Sequence, residues 1–213
     1  MFASDRTLLA LEPMLFRDVL FLSQRLTAGI CSTSESTLTA STLDPDFLVA
    51  GIRPGHIITI DDVSYEIAEV SGSDTLKISR LRERDDGELI PPPTLSTRPF
   101  SIHTFGPQLA FAHAQVLNML SLALAGTASA LVSEDALINK TEFATFEAHL
   151  ALKHLLTSAG TLSRDTPALA ALRSSLDAAI RTAHQTLIAH IDLNSDGLPE
   201  SQRRLNIQYL TRM

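Results

Sequence analysis

The sequence predicts an α+β fold: a helical bundle with an inserted small antiparallel β-barrel or curled sheet and a C-terminal strand. Three observations predict it. Leucines recur at helical spacing near the start, short β-type runs fill the middle, and long one-faced helical patterns occupy the second half. The chain accordingly divides into an N-terminal helical segment (1–33), a small barrel domain (34–106), a helical domain (107–191), and an Asp-rich turn with a C-terminal strand (192–213).

The N-terminal segment has the pattern of an amphipathic helix. Pro13 is typical of the first turn of a second helical piece, and Gly29 suits the end of a helix. The apolar residues recur at three- and four-residue steps, at Leu8, Leu11, Leu15, Val19, Leu22 and Leu26.

The middle segment changes to short β-type runs. Runs at 57–60, 65–70 and 76–78 are separated by turn-forming pairs such as Asp61-Asp62, and a last strand is predicted at 100–105 after a proline-rich loop. Four or five short antiparallel strands of this kind favour a small barrel or a curled sheet.

The second half is predicted to contain helices with one apolar face. Asn139 and Glu142 occupy capping-box positions at the start of one helix, and Thr166 with Pro167 marks the start of another. The apolar stripes are Leu109, Ala112, Val116, Leu120 and Leu124; Phe143, Phe146 and Leu150; and Leu169, Leu172, Leu176, Ile180, Ala183 and Leu187.

Composition excludes several functional classes. Hydrophobic residues make up 45% of the chain and charged residues 19%, which is too apolar for a disordered protein. The net charge of −7 gives no basic field for holding nucleic acid by its phosphates, so specific DNA binding is not expected. The single cysteine, Cys31, excludes an internal disulfide and a multi-cysteine metal site.

Neither the N-terminus nor the apolar central stretch predicts a membrane segment. The first residues lack the basic stretch and apolar run of a secretory signal. Residues 99–133 contain no Asp, Glu, Lys or Arg, but polar residues interrupt the stretch and no Lys/Arg cluster flanks it. We therefore expect no membrane association.

No group of residues has the spacing that catalysis requires. The chain has no G-x-S-x-G elbow and no glycine-rich phosphate loop, and Cys31 has no adjacent base. The histidines form no i, i+4 pair with an intervening Glu, and His113 lies near an apolar stripe, where a hydrogen-bonded core histidine is expected. The sequence therefore predicts neither an enzyme nor a cofactor site.

One stretch resembles the first half of a calcium loop. Asp192, Asn194 and Asp196 supply oxygens at positions one, three and five, glycine follows at six, and Glu200 at position nine could contribute. Position twelve, which should be a bidentate carboxylate, is the cation Arg203. The favoured interpretation is therefore an Asx-rich turn before a final strand, with a calcium site as the alternative.

The C-terminal tail is predicted to form a strand with one covered face. Apolar Leu205, Ile207 and Tyr209 alternate with polar residues between 204 and 212. Such a strand either pairs within the chain's own sheet or adds to the sheet of a neighbour, and these three residues are the predicted interface.

Three groups of motifs, spread over much of the chain, belong together. They are Asp5-Arg6-x-Leu8-Leu9 and Glu12-Pro13-x-Leu15-Phe16; Phe47-x-x-Ala50-Gly51-Ile52-x-Pro54-Gly55-His56 and Tyr65-Glu66-Ile67-x-Glu69-Val70; and Asp192-x-Asn194-x-Asp196-Gly197 followed by Arg203-x-x-Asn206. In these motifs the chain resembles the head-to-tail connector proteins, the adaptor or neck proteins of tailed bacteriophages and phage-derived particles.

The resemblance implies a structural virion protein assembled in the bacterial host cytoplasm. Its subunits would form a ring docked beneath the portal protein, contact a further neck or tail protein, and let DNA pass without specific binding. Adaptors of this kind are often purely helical, so the β-rich middle would be an insertion or a fused stopper-like barrel. The alternative from another class is a soluble module whose barrel binds a small ligand or peptide.

Overall fold

The structure, a computed structural model, describes residues 1–126, 132–160 and 167–205, and it confirms the α+β class. The chain forms two compact units. The barrel unit comprises residues 4–106, and the helical unit comprises residues 1–3 with the described residues from 107 onward.

The barrel unit begins with two short helices. α1 (Asp5–Leu11) starts after Ser4, which forms a capping box with Thr7, and α2 (Leu15–Asp18) follows the break at Pro13. A 3-10 turn at Leu22–Gln24 leads directly into the first strand. Leu8, Leu9, Leu15 and Phe16 are buried, so both helices pack their apolar faces inside this unit.

Six antiparallel strands then close into a barrel with the order β1-β2-β5-β4-β3-β6. β6 pairs with both β3 and β1, and this second pairing closes the barrel. The strands are β1 (Arg25–Ser34), β2 (Thr37–Asp44), β3 (Ile57–Ile60), β4 (Val63–Val70), β5 (Thr75–Ser79) and β6 (Leu95–His103).

Residue type explains two features of the barrel, the turn between β3 and β4 and the close approach of β1 to β2. Asp61 and Asp62 both have positive φ, 48° and 64°, which is the backbone of the two-residue turn joining β3 to β4. Gly29 in β1 lies so close to β2 that a Cβ atom there would be 1.9 Å from the carbonyl oxygen of Thr42. A side chain at residue 29 would therefore collide with the neighbouring strand.

Several sequence-based predictions for this unit are wrong. The helix predicted to reach Leu26 does not extend that far, because residues from Arg25 onward form β1. Thr27, Cys31 and Thr33 are buried on one face of this strand. The last strand ends at His103 and not at residue 105; Phe105 instead packs on Phe16, with ring centroids 4.8 Å apart. The barrel also has more strands than the predicted four or five.

Among its described residues, the helical unit contains three longer helices, as the apolar stripes predicted. The elements are α3 (Gly106–Leu120), β7 (Leu122–Ala123), β8 (Val132–Ser133), a 3-10 turn (Glu134–Ala136), α4 (Lys140–Gly160), α5 (Pro167–Thr186), β9 (Ile188–Ile191) and β10 (Ser201–Arg204). α4 begins directly after Asn139 and α5 begins at Pro167, whereas Thr166 lies outside the described residues. α4 and α5 contact each other, and their buried residues include Phe143, Phe146, Leu176 and Ile180.

The stretch at 99–133, which contains no Asp, Glu, Lys or Arg, raised the question of a membrane span. Among the described residues, no helix combines the length and the apolar composition that crossing a membrane requires.

Candidate functional site

The Asp-rich turn lies between β9 and β10 in the helical unit and is organised around Asp192. Its Oδ1 accepts the backbone N–H groups of Asn194 and Ser195, at 3.2 and 2.6 Å, and its Oδ2 accepts that of Gly197 at 2.8 Å. The hydrogen bond from Gly197 is the largest of several effects that hold the pKa of Asp192 below its usual value. These contacts are those of an Asx-rich turn.

The same turn brings three carboxylates together. One oxygen each from Asp192, Asp196 and Glu200 lie within 4.8 Å of one another. Glu200, at position nine of the loop, accepts the Leu193 N–H at 2.6 Å. Oxygen ligands at this spacing suit a hard cation such as calcium, but exposed acidic groups are common without one, so the calcium site stays a prediction.

Arg203 occupies position twelve, where a calcium loop needs a carboxylate, but its side chain binds α3 and not the Asp-rich turn. Its Nη1 donates to the carbonyl oxygens of Leu120 and Ser121, at 2.6 and 2.7 Å. The guanidinium therefore binds the C-terminal end of α3, where a cation is favourable. The turn consequently has no carboxylate from position twelve, and Arg203 is engaged by α3.

A C-terminal strand is present, but it precedes the alternating tail. β10 pairs antiparallel with β9 within the chain, from Ser201 opposite Ile191 to Arg204 opposite Ile188. Of the predicted strand at 204–212, residues 206–212 lie outside the described residues. Of the three predicted interface residues, Leu205 is buried, whereas Ile207 and Tyr209 lie outside the described residues.

The opposite edge of β9 is also covered. Leu137 forms a β-bridge with Ile191, the Ile138 N–H donates to the His190 carbonyl at 2.9 Å, and the Asp192 N–H donates to the Ala136 carbonyl at 2.8 Å. Asn139 adds side-chain bonds, donating to the Ile188 carbonyl at 2.9 Å and accepting the His190 N–H at 3.0 Å. The start of α4 is thereby fixed to β9.

A buried cluster of three ionisable residues, which sequence reasoning missed, lies inside the helical unit. His113 of α3 is between Glu147 of α4 and Glu134 of the 3-10 turn, and all three residues are buried. His113 Nδ1 is 2.8 Å from Glu147 Oε2 in an aligned hydrogen bond. His113 Nε2 is 2.7 Å from Glu134 Oε2, an ion-pair contact with poorer alignment.

The two carboxylates also accept backbone donors. Glu147 accepts the N–H groups of Phe2 and Ala3, both at 3.2 Å, and Glu134 Oε1 accepts the Ala125 N–H at 3.1 Å. The prediction that His113 is a hydrogen-bonded core histidine is confirmed. Glu147 was detectable, because it stands in the apolar stripe of Phe143, Phe146 and Leu150, where an ionisable residue needs a partner.

The barrel interior and a groove between α4 and α5 are the two places where a ligand could be expected. The barrel interior is filled by buried side chains that include Cys31, whose thiol pKa is raised to about 11 chiefly by burial. An open groove of about 360 Å³ lies between α4 and α5, lined by Phe146, His149, Ala183 and Leu187 among others. Burial lowers the pKa of His149, which favours a neutral imidazole in this groove.

Comparisons with models of known protein families, with curated proteins and with solved structures find no match to this chain.

Proposed function

We propose that this chain is a structural subunit of a head-to-tail connector in tailed bacteriophages or phage-derived particles. It would form a ring with identical subunits and bind the portal protein on one side and a further neck or tail protein on the other. The protein would perform no reaction, and DNA would pass it without specific binding.

The observation that carries the proposal is the structural role of the residues in the resemblance. Asp5 accepts the N–H of Phe105, and Arg6 binds Glu66 at 2.5 Å. Eight apolar residues of the first two groups are buried in the barrel unit: Leu8, Leu9, Leu15, Phe16, Phe47, Ile52, Tyr65 and Ile67. These resembling residues support a role in shaping the fold, which suits a protein whose function is assembly.

The packed barrel favours this proposal over a ligand-binding barrel. A barrel that holds a small ligand needs interior space, whereas here Leu38, Ile58, Leu76, Ile78 and Ile102 fill the interior and are fully buried. The groove between α4 and α5 is the feature that supports the alternative of a soluble binding module, because it is open to solvent and its lining includes the apolar residues Phe146, Ala183 and Leu187.

Exposed apolar residues of the barrel unit support contact with other polypeptides. Leu48 and Val49 are adjacent in sequence and are 62% and 75% exposed, while the neighbouring Phe47 is fully buried. The Asp46 carboxylate accepts the Val49 N–H at 2.8 Å and fixes this turn. Two large exposed apolar side chains at consecutive positions offer apolar surface that another polypeptide could cover.

Association with a portal protein is the direct test. The purified chain is mixed with the portal protein encoded near its gene, and the masses of the complexes are measured by sedimentation and native mass spectrometry. We expect a ring-shaped co-complex of defined stoichiometry. A chain that stays monomeric with the portal protein present, over the concentration range in which portals assemble, would contradict the proposal.

The predicted interface strand allows a matched pair of variants. Ile207→Ser with Tyr209→Ser changes the apolar positions of the alternating tail, whereas Asn206→Ser with Gln208→Ser changes its polar positions. We expect the first pair to weaken the co-complex and the second to leave it intact. Equal effects of the two pairs would count against a one-faced interface strand.

A further inference from the structure

We propose that the C-terminal segment at 206–213 occupies the groove between α4 and α5 of its own chain, with the side chains of Ile207 and Tyr209 against the two helices. This segment lies outside the described residues. The inference goes beyond the proposed function and does not depend on it. It rests on the place where β10 ends, on the dimensions of the groove and on the chemistry of the residues that line it.

The described chain ends beside the groove. β10 runs antiparallel to β9 and brings Arg204 opposite Ile188. One residue further in the same direction, Leu205 comes level with Leu187, which lines the groove. Leu205 is only 5% exposed, so the chain is held against the helical unit at this point. The eight residues that follow in the sequence therefore start at one end of the groove.

The alternation of the tail gives it an apolar face that continues from a buried residue. In an extended segment Leu205, Ile207 and Tyr209 lie on one face, and Asn206 and Gln208 lie on the other. Because Leu205 is buried, the face that it shares with the next two apolar residues is the one turned toward the helical unit. The polar residues of the tail then remain in solvent.

The direction of the helices shows which residues lie at the far end of the groove. Lys153 binds Asp177 at 2.7 Å, and the rings of Phe146 and His184 are 5.3 Å apart, so α4 and α5 run antiparallel. His149, which lies between these two contacts in α4, is therefore distant from the end at which β10 stops.

The length of the groove matches the spacing of the apolar tail residues. Its α5 side extends from Leu187 back to Ala179, which corresponds to about 12 Å along a helix. An extended chain covers about 13 Å from residue 205 to residue 209. Ile207 thereby reaches the middle of the groove, near Phe146, and Tyr209 reaches the end at His149.

The lining suits these two side chains. The volume of about 360 Å³ is near the lower limit of pockets that bind small ligands, and it accommodates a few side chains. At the far end, His149 is half-buried, and burial is the one cause that lowers its pKa. Among the described residues, none forms a hydrogen bond with this ring. A neutral imidazole has a nitrogen that can accept the hydroxyl proton of Tyr209, and a buried tyrosine hydroxyl usually finds such a partner.

Side-chain contacts are measured by NMR on the unsubstituted protein. The chain has two tyrosines, and comparison with a Tyr209→Phe variant identifies the ring signals of Tyr209. We expect nuclear Overhauser contacts between the rings of Tyr209 and His149. In a mixture of isotope-labelled and unlabelled chains, these contacts should remain within one chain. Contacts between labelled and unlabelled chains would assign the groove to the tail of a second copy, and absence of any contact would leave it to another partner. Either result would overturn the proposal.

Chemical modification of His149 gives an independent test on the isolated chain, without any co-complex. Ile207→Ser with Tyr209→Ser removes the apolar face of the tail, and Asn206→Ser with Gln208→Ser is the matched control. A tail in the groove shields the imidazole from diethyl pyrocarbonate. We expect modification of His149, located by peptide mass mapping, to become severalfold faster in the first pair and to stay unchanged in the second.

The buried His113 serves as the internal standard for folding in this experiment, because it should stay protected wherever the helical unit is intact. Equal modification of His149 in the unsubstituted protein and in both variant pairs would refute the proposal. If the apolar pair does not fold, the NMR contacts in the unsubstituted protein still decide between the tail and other occupants.

Discussion

The backbone N–H of Phe105 donates to Oδ1 of Asp5 at 2.8 Å, joining the first residue of α1 to a residue that follows β6. The Asp5 carboxyl is buried, and burial is the main reason why its pKa is raised from 3.8 to about 6. Hydrogen bonds from Thr104 and Phe105 and the nearby Arg53 oppose this rise without cancelling it. The folded barrel unit therefore holds a carboxyl group that resists ionisation.

Asp5→Asn is expected to stabilise the protein at neutral pH. Because the folded state binds this proton more tightly than the unfolded state, the wild-type protein loses stability as pH rises from about 4 to about 6, by on the order of 3 kcal/mol. Asparagine keeps an oxygen acceptor for the Phe105 amide and has no proton to lose. Chemical denaturation at pH 4 and pH 7.5 measures the difference; Asp18→Asn, at an exposed position, is the control. Equal stability of Asp5→Asn and wild type at pH 7.5 would contradict this prediction.

His56 is expected to produce the opposite pH dependence. Burial first, and Arg53 second, lower its pKa from 6.5 to about 4, so the folded state favours the neutral ring. Its contribution is fully present above pH 6.5 and is lost as pH falls toward 4. His56→Gln should therefore reduce the loss of stability on acidification, measured by denaturation between pH 7 and pH 4. His190→Gln, in the helical unit, serves as the control, and an unchanged acid profile in His56→Gln would argue against this assignment.

The ion triad of the barrel unit should be essential for its stability. Glu66 is 1% exposed and binds both Arg6 and Arg82, while Arg82 Nη1 also donates to the Gly87 carbonyl at 2.8 Å. Removing the shared carboxylate leaves two guanidinium groups facing each other in a buried site. Glu66→Gln should cost about 3–5 kcal/mol of unfolding free energy.

The control for the triad is Glu69→Gln, an exposed position in the same strand. Limited proteolysis gives a second measurement: residues 80–90 should be cleaved faster in Glu66→Gln, because Arg82 no longer anchors that loop. Resistance equal to that of wild type would indicate that the loop does not need the ion triad.

Gly29 should tolerate no side chain. A methyl group there would lie 1.9 Å from the Thr42 carbonyl oxygen, which belongs to the backbone and cannot rotate away. We expect Gly29→Ala to cost about 3 kcal/mol or more. Gly72→Ala is the matched control, since the nearest atom to a Cβ there is a side-chain oxygen 3.7 Å away. Thermal unfolding followed by circular dichroism distinguishes the two, and similar midpoints would show that β1 and β2 can separate locally.

The Asp-rich turn is expected to be stable without a bound cation. Asp192 already accepts three backbone N–H groups, and these bonds shape the turn by themselves. The thermal midpoint should therefore be the same in calcium and in a chelator. A rise with calcium that disappears in Asp196→Asn would establish the calcium alternative, because a ligand that binds only the folded state must raise its stability.

The elements predicted best were those with local signals. Asp61-Asp62 marked a tight turn, and Asn139 and Pro167 marked the starts of two helices. β1 was missed because Leu22 and Leu26 happen to continue the helical spacing of the preceding residues, while the strand is defined by pairing with β2 and β6. Pairing between distant segments leaves no periodic trace in a single sequence.

The buried charges were missed for a related reason. A single glutamate such as Glu66 looks like any surface residue until its partners are known, and Glu147, although its place in an apolar stripe calls for a partner, does not reveal which residue that is. Those partners are far away in the chain: Arg6 for Glu66 and His113 for Glu147. The metal-ligand pattern at Asp192, by contrast, was local and therefore visible, although the direction of Arg203 was not.

The closure of the barrel has a kinetic consequence. The hairpins β1–β2, β3–β4 and β4–β5 join strands that are near in sequence, whereas β1 meets β6 through pairs such as Arg25 with His103. Joining segments so far apart costs loop entropy before any contact compensates for it. The pairing of β1 with β6 should therefore form late, after the other strands have paired. Until synthesis has passed residue 103, the nascent chain would leave unpaired the edges of β1 and β3 that β6 later covers.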